Sequence, residues 1–173
     1  MFEAHAISAA DKPTFYAELA QQLEGLLHGE TDPIGNAANT SALLYNAMPG
    51  LNWAGFYFMR GDGLVVGPFQ GKPACVRIPV GRGVCGSAVA RRASILVEDV
   101  HAFPGHIACD AASRSELVVP LMRDGAVLGV IDLDSPTPAR FDPDDQAGIE
   151  AIARIYLAAS YPAGRPGPDA VGR

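Results

Sequence analysis

Apolar side chains recur every three or four residues near both ends of the chain, a spacing typical of helices that bury one face. Three such stripes each begin just after an aspartate that is followed within two residues by proline, a pair typical of a helix start. The aspartates are Asp11, Asp32 and Asp142. The pattern therefore predicts two helices at the beginning of the chain and one near its end.

Between these helices the apolar period shortens to two residues, which is typical of strands. The predicted strands are NWAGFYFM (52–59), LVVGPF (64–69), ACVRIPV (74–80), SILVED (94–99), ELVVPLM (116–122) and AVLGVIDLD (126–134). One short helix is predicted among them for GVCGSAVARR. Because the strands follow one another without long crossovers, we expect an α+β fold in which a six-stranded, mainly antiparallel sheet is flanked by helices.

Length and charge limit the classes of protein to be considered. The chain has 173 residues, a formal net charge of -6 and a pI near 5.1. We predict one domain over residues 1–160 and a flexible Pro/Gly-rich tail over residues 161–173. The acidic charge argues against a nucleic-acid partner, and no segment has the apolar character of a secretory signal or a membrane span. We therefore predict a cytoplasmic protein that binds neither nucleic acid nor membranes.

The chain contains three cysteines, Cys75, Cys85 and Cys109. Cysteines of a cytoplasmic protein stay reduced and serve chemistry more often than structure. Cys109 lies in a long polar loop, and Cys85 lies at a predicted helix start, where the helix dipole lowers a thiol pKa. Cys75 lies in a predicted strand, where a small buried hydrophobic residue is an equally good interpretation.

Two carboxylates, Asp132 and Asp134, alternate along the last predicted strand and so project from one face. A two-residue hairpin loop before this strand would put Glu116 and Asp132 on opposite faces. A three-residue loop over 123–125, with glycine in the left-handed position, sets Glu116 opposite Asp132, and we favour it. The three acids then share one face, where like charges raise at least one pKa and allow a proton donor near neutral pH.

The first predicted strand carries aromatic residues on both faces. Trp53 and Tyr57 share one face around a glycine gap, while Ala54, Phe56 and Phe58 share the other and form apolar core. The first pair is therefore a candidate binding surface. Burial of both rings in the core is the alternative, and it is the commoner outcome for aromatic residues.

Two histidines near Cys109 suggest a zinc site as another alternative. His101 and His106 could form one together with Cys75 and Cys85. Structural zinc sites usually contain closely spaced pairs such as C-x2-C, and the sequence has none. We therefore predict no metal and treat the histidines as solvated loop residues.

Four motifs together resemble the free methionine-(R)-sulfoxide reductases, which are stand-alone GAF-domain enzymes. The motifs are NWAGFYF, GPFQGKPACVRIPVGRGVCGSA, HIACDAASRSELVVPL and GVIDLDSP. The resemblance covers roughly residues 14 to 160. It implies a GAF-like domain that reduces free L-methionine (R)-sulfoxide to L-methionine through a cysteine sulfenic acid and a disulfide. It also implies a homodimer that needs no cofactor and takes its electrons from thioredoxin.

The resemblance extends to individual residues. It implies that Cys109 is the nucleophile, that Cys75 is the main resolving cysteine and that Cys85 can form a second disulfide. It implies a substrate pocket made of Trp53, Tyr57, Glu116, Asp132 and Asp134. The alternative from another class is a sensory GAF module that binds a small ligand without catalysis, because the two share one fold. An acidic pocket would repel a cyclic phosphate, which favours the enzyme.

Overall fold

The computed structural model describes residues 5–105 and 111–162. Its helices are α1 (Lys12–Leu26), α2 (Pro33–Ala47), α3 (Gly83–Arg91) and α4 (Pro143–Ser160), with a 3-10 turn over Val100–Ala102. Its strands are β1 (Trp53–Arg60), β2 (Gly63–Gly71), β3 (Arg77–Pro79), β4 (Ile95–Val97), β5 (Ser115–Arg123) and β6 (Ala126–Ser135). Cys109 and His106 lie outside the described residues, as do residues 163–173 of the predicted tail.

The three predicted helix starts are confirmed by their capping geometry. Asp11, Asp32 and Asp142 are the N-caps of α1, α2 and α4, and each side chain accepts hydrogen bonds from backbone N–H groups of the first turn. A proline follows in the first turn of each helix, where its missing N–H costs no hydrogen bond. Local sequence therefore determines where these three helices begin.

The six strands form one antiparallel sheet in the order β3-β2-β1-β6-β5-β4, which confirms the predicted α+β class. The third strand is shorter than predicted, since it begins at Arg77 and not at residue 74. The backbone carbonyl of Cys75 accepts a hydrogen bond from the Tyr57 hydroxyl at 3.2 Å instead of pairing within the sheet. A tertiary contact thus replaces strand pairing at this position.

The loop between β5 and β6 differs from our prediction. Arg123 pairs with Ala126, so the loop contains two residues and not three. Both loop residues have positive φ angles, 48° at Asp124 and 77° at Gly125, as a type I′ turn requires. The prediction of a three-residue loop is therefore wrong, because Asp124 adopts the left-handed conformation as well as the glycine.

A β-bulge places Glu116 on the same face as Asp132 and Asp134, which a two-residue loop alone would have prevented. The register shifts between Leu121 and Met122, which inserts one extra residue into β6. Glu116 consequently pairs with Asp134, whereas we predicted Asp132 opposite it. Directly paired residues share a face, so Glu116, Asp132 and Asp134 still project together. The predicted common face is confirmed, while the predicted partner of Glu116 is wrong.

Each face of the sheet carries its own apolar core. Helices α2 and α4 cover one face, where Ala54, Phe56 and Phe58 are buried as predicted, and α1 packs against these two helices. Tyr161, at the start of the predicted tail, is buried in this same core. The other face carries α3 and a second cluster that includes Trp53 and Tyr57. Among the described helices, none combines the length and apolar character needed to cross a membrane.

Candidate active site

A cleft opens on the α3 face of the sheet, between the first residues of α3 and the facing parts of β1, β5 and β6. Six of the residues that line it are ones we singled out from the sequence. They are Trp53, Tyr57, Cys85, Glu116, Asp132 and Asp134. The sheet register brings them together, since Asp134 lies beside Trp53 and Asp132 lies beside Gly55.

Gly55 allows the rings around it to approach the backbone. The indole of Trp53 stacks on Phe69 with ring centroids 5.2 Å apart and an interplanar angle of 17°. A Cβ atom at Gly55 would lie 2.7 Å from the Trp53 ring and 2.8 Å from the Phe69 backbone. The gap expected between Trp53 and Tyr57 is therefore filled by aromatic rings, which form an apolar wall beside the acids.

The two aromatic residues also hold the chain segment that leads to Cys75. The Trp53 indole N–H donates to the Lys72 carbonyl at 3.2 Å, and the Tyr57 hydroxyl donates to the Cys75 carbonyl at 3.2 Å. Burial and the nearby Asp132 carboxylate raise the pKa of Tyr57, so its hydroxyl stays protonated and can donate. The sequence predicted these residues as a pocket wall but not as supports for the cysteine segment.

The acids on the floor of the cleft are deeply buried. Glu116 and Asp132 each expose only 6% of their surface. Among the described residues, Asp132 Oδ1 has no hydrogen-bond partner. A buried polar atom without a partner costs free energy unless a ligand satisfies it. The floor of the cleft is therefore suited to a small group that donates hydrogen bonds and carries positive charge.

Burial changes the protonation of these acids. It raises the pKa of Glu116 well above the usual range, and the negative charges of Asp132 and Asp134 raise it further. Burial also raises the pKa of Asp132 to about 6, against an opposing contribution from hydrogen bonds with Cys85 and Glu116. We predicted a raised pKa from mutual repulsion, and its direction is confirmed, although burial is the larger cause. The cluster keeps protons near neutral pH.

Cys85 lies in the first turn of α3, against the acids. Its thiol donates to Glu116 Oε1, with 3.9 Å between sulfur and oxygen. We expected the helix dipole to lower the pKa of this thiol, and that expectation is wrong. Burial raises its pKa well above the ordinary value, and the carboxylates of Asp132 and Glu116 add to the effect. Cys85 is therefore held as a neutral thiol, which is a weak nucleophile.

The other described cysteine differs from Cys85 in its bonding and exposure. Cys75 is disulfide-bonded and half-buried, whereas Cys85 is a free, buried thiol. Cys109, the predicted nucleophile, lies outside the described residues. The two described cysteines are thus distinct in environment, which the spacing in the sequence did not indicate.

Ser113 is a site residue that sequence reasoning missed. It is 4% exposed, lines the cleft, and its hydroxyl accepts a hydrogen bond from the Asn52 amide at 3.1 Å. It belongs to the motif HIACDAASRSELVVPL, which was the available signal. Serine is common in polar loops, so the motif alone did not distinguish this position.

One set of side chains in the cleft could hold a metal ion. Donor atoms of Cys85, Glu116 and Asp132 lie within 4.8 Å of one another. This set contains none of the histidines in our zinc alternative, and the described His101 is exposed. A metal would have to displace the protons that the raised pKa values retain, because metal ligands bind deprotonated. An ammonium group needs only one ionised carboxylate of this set, and Asp132, with a pKa of about 6, provides it at neutral pH.

Comparison with known proteins agrees with this fold. Residues 13–159 match the family model described as the GAF domain, which defines the class of the protein. The chain is 59% identical over 147 residues to Protein YtsP of Bacillus subtilis, covering 84% of this chain and 90% of that protein. It is 54% identical over 142 residues to the free methionine-R-sulfoxide reductase of Escherichia coli, covering 82% and 86%.

Comparison with solved structures identifies the same family. The free methionine-R-sulfoxide reductase of Neisseria meningitidis, solved in complex with its substrate, superimposes with a TM-score of 0.88. It is 46% identical, and the match covers 92% of this chain and 95% of that chain. The protein belongs to the family of free methionine-R-sulfoxide reductases, which confirms the resemblance found in the sequence motifs.

Proposed function

We propose that the protein reduces free L-methionine (R)-sulfoxide to L-methionine, using cysteine thiols as the source of electrons. The observation that carries this proposal is the cluster of Glu116, Asp132 and Asp134 beside an aromatic wall, in which burial raises the pKa of both Glu116 and Asp132. Membership of the family supports it, since relatives from Escherichia coli and Saccharomyces cerevisiae carry the name free methionine-R-sulfoxide reductase.

Each part of the substrate has a matching surface in the cleft. The acids meet the ammonium of a free amino acid through charge-assisted hydrogen bonds, and Asp132 Oδ1 offers an unused acceptor. The face of Trp53 encloses the terminal methyl group next to the sulfur. A methionine within a peptide has no ammonium to offer, so the cluster selects the free amino acid.

The chemistry needs one thiolate and one proton donor. In the proposed first step the Cys109 thiolate attacks the sulfoxide sulfur, and the oxygen passes with a proton from that sulfur to the Cys109 sulfur. The sulfoxide gains two electrons and becomes methionine, while Cys109 loses two electrons and becomes a sulfenic acid. One acid of the cluster stays protonated and supplies the proton that the sulfoxide oxygen needs as it leaves sulfur, while the other acids are ionised and hold the ammonium. In the second step another thiol attacks the sulfenic acid, which forms a disulfide and releases water.

Cys75 is the resolving cysteine in this proposal. It is disulfide-bonded while Cys85 is a free thiol whose raised pKa makes it a poor attacking group. Cys109 precedes Ser113, a residue of the cleft, by four positions, and four residues of chain span at most about 14 Å. Thioredoxin then reduces the disulfide and returns both thiols. Cys85 can form a second disulfide.

The domain bounds, the oligomeric state and the cellular compartment of the enzyme remain predictions. We propose a single catalytic domain over residues 1–160 that acts as a homodimer in the cytoplasm, where thiols remain reduced between turnovers. No cofactor is required, because the electrons come from cysteine and the protons from the carboxyl cluster.

Substrate comparison is the most informative test. Initial rates should be measured with free, N-acetylated and peptide-bound methionine sulfoxide, using dithiothreitol as reductant. We expect the free sulfoxide to exceed the other two by on the order of 100-fold in kcat/KM, the range for losing a buried ionic contact. Comparable rates on all three would reject the free amino-acid pocket. No turnover on any of them would favour the sensory GAF alternative.

The nucleophile needs a separate test. Cys109→Ser should form no methionine even in a single turnover without added reductant, because an alcohol is a far weaker nucleophile than a thiolate. Cys75→Ser is the matched variant, and it should complete one turnover but recycle slowly with thioredoxin. Methionine formation by Cys109→Ser would overturn the assignment of the nucleophile.

A further inference from the structure

The chain segment around Cys75 exposes apolar side chains to solvent. Three large apolar side chains are notably exposed within the part of the chain that the structure describes, Ile34 at 51%, Val76 at 63% and Val80 at 40%. Val76 directly follows Cys75, and Val80 lies five positions after it. Two of these three side chains therefore lie within five residues of the disulfide-bonded cysteine in the sequence.

The charge of this segment is opposite to that of the whole chain. Residues 71–82 contain Lys72, Arg77 and Arg82 but no acidic residue, in a chain whose formal net charge is -6. Arg77 and Arg82 are exposed, and neither forms an ion pair with any described residue. A local basic surface on an acidic protein attracts an acidic partner to this place.

The segment is held in a fixed position. The Val76 carbonyl accepts a hydrogen bond from the Val66 backbone N–H at 3.0 Å, and β3 lies at the edge of the sheet. The Ile78 side chain is buried beneath it in the core on the α3 face. Val76, Arg77, Val80 and Arg82 are exposed side chains of this anchored segment, and we call them together the Cys75 shoulder. A preformed surface loses little conformational entropy when a partner binds.

We propose that the Cys75 shoulder is the docking site for the protein dithiol that recycles the enzyme, a partner whose apolar surface around its thiols is rimmed by acidic residues. This inference rests on the proposed function, because it assumes a disulfide between Cys75 and Cys109 in the oxidised enzyme. Val76 and Val80 contact the apolar surface of the partner, and Arg77 and Arg82 pair with its acidic rim. The shoulder directs the attacking thiolate to the sulfur of Cys75.

The thiol–disulfide exchange between the partner and the enzyme takes place in two steps. The partner thiolate attacks Cys75 Sγ, the bond to Cys109 breaks, and Cys109 leaves as a thiolate. The second thiol of the partner then attacks the mixed disulfide and releases Cys75. The partner loses two electrons and becomes a disulfide, while the enzyme gains two electrons and recovers both thiols.

Two reductants test the docking site. Methionine formation by the wild type, Val76→Asp, Arg82→Glu and Ile34→Asp should be measured with thioredoxin, its reductase and NADPH, and again with dithiothreitol. Val76→Asp and Arg82→Glu should each lower the thioredoxin kcat/KM on the order of tenfold, the size expected for an interface residue that contributes to binding, with the dithiothreitol rate unchanged. Ile34→Asp places the same charge on an equally exposed apolar site of α2, and should lower neither rate.

The possible outcomes separate this inference from the proposed function. Wild-type enzyme that forms no methionine with dithiothreitol would contradict the proposed function itself. Activity with dithiothreitol, combined with equal thioredoxin kcat/KM in all four proteins, would overturn the docking site alone. The docking site would also be overturned if Ile34→Asp lowered the thioredoxin kcat/KM as much as the other variants do. An equal loss of activity with dithiothreitol would have the same consequence.

A trapping experiment tests the direction of attack. Thioredoxin that lacks its second cysteine should accumulate as a mixed disulfide with the oxidised enzyme, and peptide mapping should locate the bond at Cys75. Formation of this adduct should slow with increasing salt, because the Arg77 and Arg82 pairs are screened. A mixed disulfide at Cys109 would contradict the proposal.

Discussion

Asp132→Asn should change how the stability of the protein depends on pH. Burial raises the pKa of Asp132 from 3.8 to about 6 in the folded protein, so the folded state binds this proton more tightly than the unfolded chain. Folding therefore takes up a proton between those pH values, and the contribution of Asp132 to stability is lost as the pH rises through this window. Asparagine cannot titrate, so the variant lacks this loss.

The size of the effect follows from the pKa. A rise from 3.8 to about 6 corresponds to about 3 kcal/mol between the protonated and ionised limits. The free energy of unfolding of the variant relative to the wild type should therefore increase by about 2 to 3 kcal/mol between pH 4 and pH 8. Glu116 adds to the change with the same sign, since loss of the Asp132 charge lowers its pKa.

Urea unfolding measures this change directly. Both proteins should be unfolded at pH 4, 6 and 8 with excess reductant and constant ionic strength, and the two m-values should agree. Comparing the same pair of proteins at each pH cancels any packing difference between aspartate and asparagine that does not depend on pH. Asp62→Asn, which alters an exposed turn carboxylate, is the matched control and should follow the wild type. A difference for Asp132→Asn that stays constant from pH 4 to pH 8 would refute the reasoning.

Two further predictions concern the aromatic wall of the cleft. Gly55→Ala should destabilise the protein by about 1–3 kcal/mol, because the new Cβ would overlap the Phe69 backbone and the Trp53 ring. Gly35→Ala, where the nearest atom is 3.6 Å away, should not, and equal urea midpoints for the two variants would contradict this. Trp53 is the sole tryptophan, so free methionine sulfoxide should change the protein's fluorescence at concentrations where the N-acetylated compound does not. Equal titration curves would exclude recognition of the ammonium.

The fold was largely predictable because its signals are local. Asp11, Asp32 and Asp142 cap their helices through contacts with residues two or three positions away, so sequence alone was enough to locate these helix starts. The β5–β6 loop was not predictable in the same way. Its length depends on whether Asp124 accepts a positive φ, and the bulge at Leu121 depends on the pairing of two whole strands.

The site residues were predictable from motifs, while their chemical states were not. Alternation along β6 was sufficient to place Asp132 and Asp134 on one face. The state of Cys85 depends on the burial around α3 and on carboxylates contributed by β5 and β6, which are distant in sequence. A helix start lowers a thiol pKa only when the thiol is not also desolvated beside acids. The balance between the helix dipole and desolvation can be judged only when the positions of β5 and β6 around Cys85 are known.

The arrangement of the cleft favours different chemical roles for the cysteines of the chain. The burial that lets Glu116 and Asp132 keep protons also raises the pKa of Cys85, so one environment cannot supply both a proton donor and a thiolate. A reaction that needs both must bring its nucleophile from a chain segment outside this acidic floor. Among the cysteines of the chain this leaves Cys75 and Cys109, and in our proposal Cys109 is the nucleophile and Cys75 resolves it. Cys85→Ala should therefore retain the first turnover that Cys109→Ser loses, and single-turnover methionine formation by the two variants decides between them.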